Sequence, residues 1–175
     1  EEITLLAPTG RSAKKLSESV NSPASTIHKF LKWNKETSSF GINEYNKSKA
    51  KLVIIDEVSM IDIFLFDSLI KGLNKSVKII LVGDKNQLPS ISPGNVLSDI
   101  LSSDKINKIY LEKIFRTKES SFIIELANKI KNKELLTEIK NYKDFTFIDT
   151  EDINTKKYLE QICDKYKGTL DDFQV

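Results

Sequence analysis

Short apolar runs in this chain alternate with longer stretches in which apolar residues recur every three or four positions. The runs predict strands at Ile3–Ala7 (ITLLA), Lys51–Ile55 (KLVII), Val77–Val82 (VKIILV), Lys108–Leu111 (KIYL), Asp144–Ile148 (DFTFI) and Phe173–Val175 (FQV). The periodic stretches predict helices at Ala13–Val20, Ser25–Trp33, Asp62–Leu73, Asn95–Leu101, Ser120–Lys131 and Thr155–Lys167. Asp62 and Ser120 are placed to act as N-caps, and Gly168 as a helix stop. In the Asp62–Leu73 helix, Phe64, Leu65, Leu69 and Ile70 are expected to face the core. Strands that are apolar throughout and separated by helices belong to parallel sheets covered on both faces, so an α/β fold is expected. The rhythm breaks at Asn34–Lys49, which reads as a surface excursion or small hairpin, and at Lys131–Asn141, a polar connection within a second unit.

Composition narrows the chemistry. At 175 residues, with 39% apolar and 30% charged positions, the chain reads as globular. It has no apolar stretch near the ~20 residues needed to span a bilayer and no basic-then-apolar leader, so a cytoplasmic setting is expected. Cys163 is the only cysteine and His28 the only histidine, which excludes internal disulfides, thiolate clusters, multi-histidine zinc sites and most Ser-His or Cys-His nucleophile systems. Ser59 lacks the context of a nucleophile. The net charge of +2 argues neither for nor against nucleic acid, because a local basic stripe matters more than the sum.

Ligands of open parallel sheets sit beyond the carboxyl ends of the strands. Three of the predicted strands run there into pointed sequences: Pro8-Thr9-Gly10-Arg11, Asp56-Glu57, and Gly83 to Pro89 (GDKNQLP). A carboxylate at a strand tip suits Mg²⁺ held to nucleotide phosphates, and a second beside it can orient or deprotonate a water. An Asp-Glu pair is also what a solvated strand end looks like. Gln87 shifts the balance, since a carboxamide both donates and accepts and can sense a γ-phosphate. A phosphate-cradling Gly-rich loop ending in Lys-Ser/Thr is missing; Leu69–Ser76 (LIKGLNKS) ends in Lys-Ser but has Leu69 and Asn74 where both glycines belong, and reads as a helix end and turn.

LLAPTGRSAKKLSE, STIHKFL, LVIIDEVSMID, ILVGDKNQLPSISPGNVL and LEKIFRTKESSFIIELANKI, in that order, resemble the RecD-like branch of superfamily 1 DNA helicases, whose members include the exodeoxyribonuclease V alpha subunit. The resemblance covers essentially the whole chain and implies a RecA-like (P-loop NTPase-type) fold. It implies residues 1–107 as the remainder of a first motor domain and 108–175 as the start of a second, with three strands and two helices. By the same resemblance Asp56 holds Mg²⁺, Glu57 activates the hydrolytic water, and Gln87 and Arg116 contact the γ-phosphate of ATP. Pro8, Thr9, Thr26 and His28 match motifs that touch the backbone of single-stranded DNA, along which family members move 5′ to 3′ in recombination and repair, sometimes within a nuclease complex. Thr117 stands where the family usually has Gln.

Blander roles compete for several of these positions. His28 can simply pack, Arg11, Lys14 and Lys15 can be a solvated helix face, Trp33 is expected to pack, and Phe40 is open between packing and base stacking. As a whole, the chain can also be a non-catalytic DNA- or protein-binding module with a helicase-core shape. The resemblance further implies a P-loop upstream of Glu1 whose strand pairs beside Lys78–Val82, leaving there an apolar edge that is expected to be covered by an upstream segment, by a neighbouring chain or by the second unit; an ordered, solvent-exposed edge would count against this topology. The 175-residue chain by itself is therefore expected to show no magnesium-dependent, DNA-stimulated ATP turnover in a phosphate-release assay; robust turnover would overturn that expectation.

Overall fold

In this computed structural model the described residues are 3–111, 121–134, 144–148 and 155–165. They group into two compact units, Glu1–Leu111 and Glu112–Val175.

The first unit is built on strands β1 (Ile3–Ala7), β2 (Ala24–Thr26), β5 (Leu52–Ile55) and β6 (Lys78–Leu81), in the order β2-β1-β5-β6. Every pairing is parallel, with Leu5 opposite Ala24 and Ile54, and Ile54 opposite Ile80. Between them run helices α1 (Gly10–Val20), α2 (Ile27–Phe30) and α3 (Ile63–Gly72), the strands β3 (Trp33–Asn34) and β4 (Ser39–Phe40), and, after β6, helix α4 (Val96–Ser102). The core is one apolar cluster, with Leu6, Val53 and Ile55 from the sheet packed with Ile27, Leu31, Val58, Ile61, Leu65, Leu69 and Leu97. Each such side chain contributes roughly 1.5–3 kcal/mol by leaving water.

Local chemistry fixes the helix starts. The Thr9 hydroxyl accepts from the Ser12 amide at 3.2 Å, and the Ser12 hydroxyl accepts from the Thr9 amide in return, a reciprocal cap at the head of α1. Asp62 caps α3 as expected, its Oδ1 accepting from the Leu65 amide at 2.8 Å. Leu69–Ser76 is a helix end: Gly72 closes α3, and a Cβ there would meet Leu31 and Ile42 at 3.0 Å.

Several expectations are corrected. Ser25–Trp33 is not one helix but a short strand, a single helical turn and the start of the β3–β4 hairpin. Thr26 causes the break, because its extended backbone pairs with Ala7 while its hydroxyl caps the turn that follows. Phe64 and Ile70 are exposed while Leu65 and Leu69 are buried, because only the latter pair lies four residues apart on the face toward the sheet. β6 is not covered on both faces: it pairs only with β5 among the described residues, and Ile79 and Ile80 are 38% and 48% exposed. Among the described residues the apolar edge at Lys78–Val82 is ordered and has no partner beyond β5, the outcome expected to count against this topology, yet the sheet beside it is parallel as expected.

In the second unit the described residues form α5 (Phe122–Lys131) and α6 (Thr155–Lys165). Ser121, not Ser120, occupies the N-cap position of α5; its hydroxyl donates to Asp144 at 2.7 Å, which holds that carboxyl below the usual carboxylate range. Phe122 packs on Phe145 with ring centroids 5.5 Å apart. Asp144–Ile148 holds only an isolated bridge at Phe145, and Lys108–Leu111 is irregular rather than a strand. Ser120, Gly168 and Phe173–Val175 lie outside the described residues.

Candidate active site

Because the four strands are parallel and adjacent, their carboxyl ends form one rim. Along it stand, in order, Thr26 and His28 after β2, Pro8 and Thr9 after β1, Asp56 and Glu57 after β5, and the Gly83–Asn95 loop carrying Gln87 after β6. At roughly 4.8 Å per strand spacing, the rim is about 15 Å from end to end.

At the tip of β5 the ladder continues one step further, the Asp56 amide donating to the Leu6 carbonyl at 2.9 Å. One carboxylate oxygen of Asp56 accepts from the Glu57 amide at 2.9 Å, so the side chain is held in place with its other oxygen unengaged by any hydrogen bond among the described residues. Glu57 then adopts a left-handed conformation (φ 55°, ψ 42°) and starts a 3₁₀ turn over Val58–Met60. Such a backbone costs a residue with a side chain about 1–3 kcal/mol and persists only when its surroundings enforce it. Here they do so through hydrogen bonds: the Val58 amide donates to Val82 at 3.0 Å, and Met60 and Ile61 donate back to Glu57 and Val58.

The Gln87 loop is fastened to this same segment at both of its ends. At the near end, Gly83 lies so close that a Cβ would stand 3.3 Å from the Val58 amide and 3.4 Å from that of Ser59. At the far end the Ile63 amide donates to Pro93 at 3.1 Å, and Gly94, at φ +111°, leaves only 2.8 Å between a would-be Cβ and that of Ile63. Between these fastenings Asp84 shapes the loop, accepting from the Asn86 amide at 2.9 Å, and the Lys85 ammonium sits 5.7 Å from the Tyr110 ring centre. Gln87 itself is exposed at the rim. Sequence reasoning missed Gly94; a glycine directly after proline, ahead of a helix, was its available signal.

On the other half of the rim both hydroxyls already serve structure. Thr9 is committed to its capping exchange with Ser12, whereas Thr26 accepts from the Lys29 amide at 3.2 Å and keeps its O–H proton. His28 is exposed and belongs to an aromatic group, its ring 6.3 Å from Trp33 and 5.9 Å from Phe40, with Trp33 and Phe40 4.7 Å apart. Trp33 packs on Phe40 as expected yet stays 43% exposed. Arg11, Lys14 and Lys15 lie on the exposed side of α1, with Lys14 3.9 Å from Glu18. Arg116 and Thr117 are outside the described residues.

Chemistry gathered at the tips of neighbouring parallel strands defines a RecA-like α/β core. The chain belongs to the AAA domain family, whose pattern it matches over residues 1–152, and within it to the RecD-like branch of superfamily 1 helicases. It is 32% identical over 145 residues to DNA helicase B of Mus musculus, covering 76% of this chain and 13% of that protein. Against RecBCD enzyme subunit RecD of Buchnera aphidicola (subsp. Schizaphis graminum) it is 31% identical over 144 residues, 72% of this chain and 23% of that one. Against the ATP-dependent RecD2 DNA helicase of Deinococcus radiodurans it is 32% identical over 127 residues, 73% and 17% of the respective lengths. In fold it is similar to the Pif1 helicase from Bacteroides solved with ADP-AlF3 and ssDNA, with a TM-score of 0.54 at 23% identity, covering all of this chain and 48% of that one. The chain thus spans between 13% and 23% of the length of these curated relatives.

The family implies use of a nucleotide and Mg²⁺, and the donors here fit such a pair. Asp56 and Glu57 are adjacent, half-buried carboxylates, and no group of three or more acidic, histidine or cysteine ligands occurs among the described residues. That donor set suits Mg²⁺ shared with phosphate oxygens and water rather than caged by protein.

The latch at Gly94 is testable without any ligand. Gly94→Ala is expected to lower the stability of the chain by about 1–3 kcal/mol through a strained backbone and a clash with Ile63. Gly10→Ala, which meets nothing within 4 Å, serves as the control and should be neutral or stabilising in the same thermal denaturation series. Equal melting temperatures for the two variants would contradict the close approach.

Proposed function

We propose that this chain is part of an ATP-driven, RecD-like DNA helicase motor that moves 5′ to 3′ on single-stranded DNA in the cytoplasm. The observation that carries the reading is the fastening of the Gln87 loop, at its near end to the turn that presents Asp56 and Glu57 and at its far end to Ile63 at the head of α3. In this reading Asp56 is a ligand of Mg²⁺, with its free oxygen. Glu57, half-buried next to Asp56 in the chain, accepts the proton of the attacking water. Gln87 contacts the γ-phosphate, and Arg116 brings a guanidinium to it from the second motor domain. ATP with its metal supplies the phosphoanhydride and the charge neutralisation; the chain's own residues position water and report on phosphate.

Pro8, Thr9, Thr26 and His28 form the DNA side of the same rim. Thr26, whose hydroxyl donates no hydrogen bond among the described residues, and the exposed His28 are the better placed to reach a phosphate oxygen, while Thr9 acts through the shape of its capped turn. Contacts of this kind add salt-dependent affinity without sequence preference. Residues 1–107 then serve as part of the first motor domain and 108–175 as part of the second. Relatives named as RecBCD subunits suggest nuclease-complex subunits as further partners. A non-catalytic module with a helicase-core shape would need no proton acceptor at position 57, which separates the two readings.

In the full-length protein carrying this segment, Glu57→Gln should lower single-stranded-DNA-stimulated ATP hydrolysis by about 100-fold or more while ATP binding, followed with a fluorescent analogue, is largely kept. Near-normal turnover would remove Glu57 as the proton acceptor and favour the non-catalytic reading.

A further inference from the structure

Between the two fastenings of the Gln87 loop lies a polar cavity of about 120 Å³, lined by Ser59, Asp84, Lys85, Gln87, Asn95 and Ser98 among others. Ser59 forms its floor. It is 8% exposed, and its Oγ is the buried side-chain polar atom without a hydrogen-bond partner among the described residues. A sealed, unpaired hydroxyl opposes folding unless something else uses it.

The backbone around Ser59 is rigid. It sits in the 3₁₀ turn two residues after Glu57, which is pinned by the Val58–Val82, Met60–Glu57 and Ile61–Val58 bonds, and its amide lies directly against Gly83. The point from which its hydroxyl extends is therefore fixed relative to the Glu57 backbone. Of the polar groups across the cavity, Asp84 is occupied by Asn86 and Lys85 leans over Tyr110. Asn95 lies beside the Gly94 latch at the fixed end of the loop, and Ser98 is held in helix α4. Gln87 has reach, stands mid-loop, and carries a carboxamide that can bond a hydroxyl with one end and a phosphate oxygen with the other.

We propose that Ser59 is a positioning residue for ATP hydrolysis: its hydroxyl is the partner that Gln87 takes, directly or through one water, when phosphate occupies the Asp56–Glu57 tip. The cavity has room for such a water, whose share of liquid volume is roughly 30 Å³. The buried hydroxyl then ties the movement of Gln87 to the turn that aims Glu57. This inference rests on the motor reading above.

The test uses the full-length protein and single-stranded-DNA-stimulated ATP hydrolysis, with Ser59→Ala, Gln87→Ala, their double variant, Ser59→Thr and Glu57→Gln measured side by side. Ser59→Ala should lower kcat about tenfold with KM for ATP unchanged, because the lost contact acts in the transition state. Its melting temperature should hold or rise, since removing an unpaired buried hydroxyl relieves a cost. The double variant should be no slower than Gln87→Ala alone, as expected for groups acting as a unit, and Ser59→Thr, which keeps the hydroxyl, should retain most of the turnover. Wild-type turnover in Ser59→Ala, effects that multiply in the double variant, or a turnover loss that merely follows a lowered melting temperature would each overturn the proposal. If any of these occurs while Glu57→Gln is inactive, the motor reading stands and only the role of Ser59 falls; an active Glu57→Gln removes both.

Discussion

Where β5 ends, the chain cannot continue straight, because the left-handed backbone of Glu57 turns the next amide sideways into the carbonyl of Val82, 3.0 Å away. That hydrogen bond joins the tips of two neighbouring strands beyond the regular ladder. With the bonds from Met60 to Glu57 and from Ile61 to Val58, it holds Glu57 in a conformation that costs about 1–3 kcal/mol. Glycine at position 83 is what lets the two backbones come this close, and the Pro93–Ile63 bond repeats the device at the far end of the loop. The strain at Glu57 and the closeness at Gly83 and Gly94 are thus parts of one arrangement. Its product is a carboxylate pair and a Gln87-bearing loop that share main-chain attachments.

The other half of the rim follows a different economy. Thr26 ends β2 and Thr9 follows β1 by two residues, and both begin a helix, so their hydroxyls answer first to unpaired helix amides. A residue that shapes a strand-to-helix turn also fixes where the rim's surface lies. In the proposed motor, DNA and nucleotide occupy opposite ends of a single row of strand tips about 15 Å long. A shift of β5 against β1 would be felt at both ends.

Much of this was legible in the sequence, for identifiable reasons. The strands Ile3–Ala7, Lys51–Ile55 and Val77–Val82 were readable because nearly every position is apolar, and α1, α3 and α4 because apolar spacing and caps such as Asp62 agree. Asp56, Glu57 and Gln87 were readable as a group because parallel strands put their carboxyl ends together. Ser25–Trp33 misled because Thr26 obeys a strand on one side and a helical turn on the other, and no periodicity records such a switch within three residues. Phe64 and Ile70 misled because α3 is apolar on more faces than its packing uses. The Pro-Gly pair ahead of a helix marked a turn at Gly94, but its contact with Ile63 and the unpaired hydroxyl of Ser59 were beyond reach, since both depend on distances between segments that are far apart in the chain.

The central claim is that the carboxylate turn and the Gln87 loop move as one body. Amide hydrogen exchange at Val58 and Ile63 measures this most directly, because these amides make the two bonds that fasten the loop. The account predicts that both are protected and open together, with matching exchange free energies across a denaturant series. Free exchange at Ile63 while Val58 stays protected would mean that the loop hangs from one end, and would contradict it.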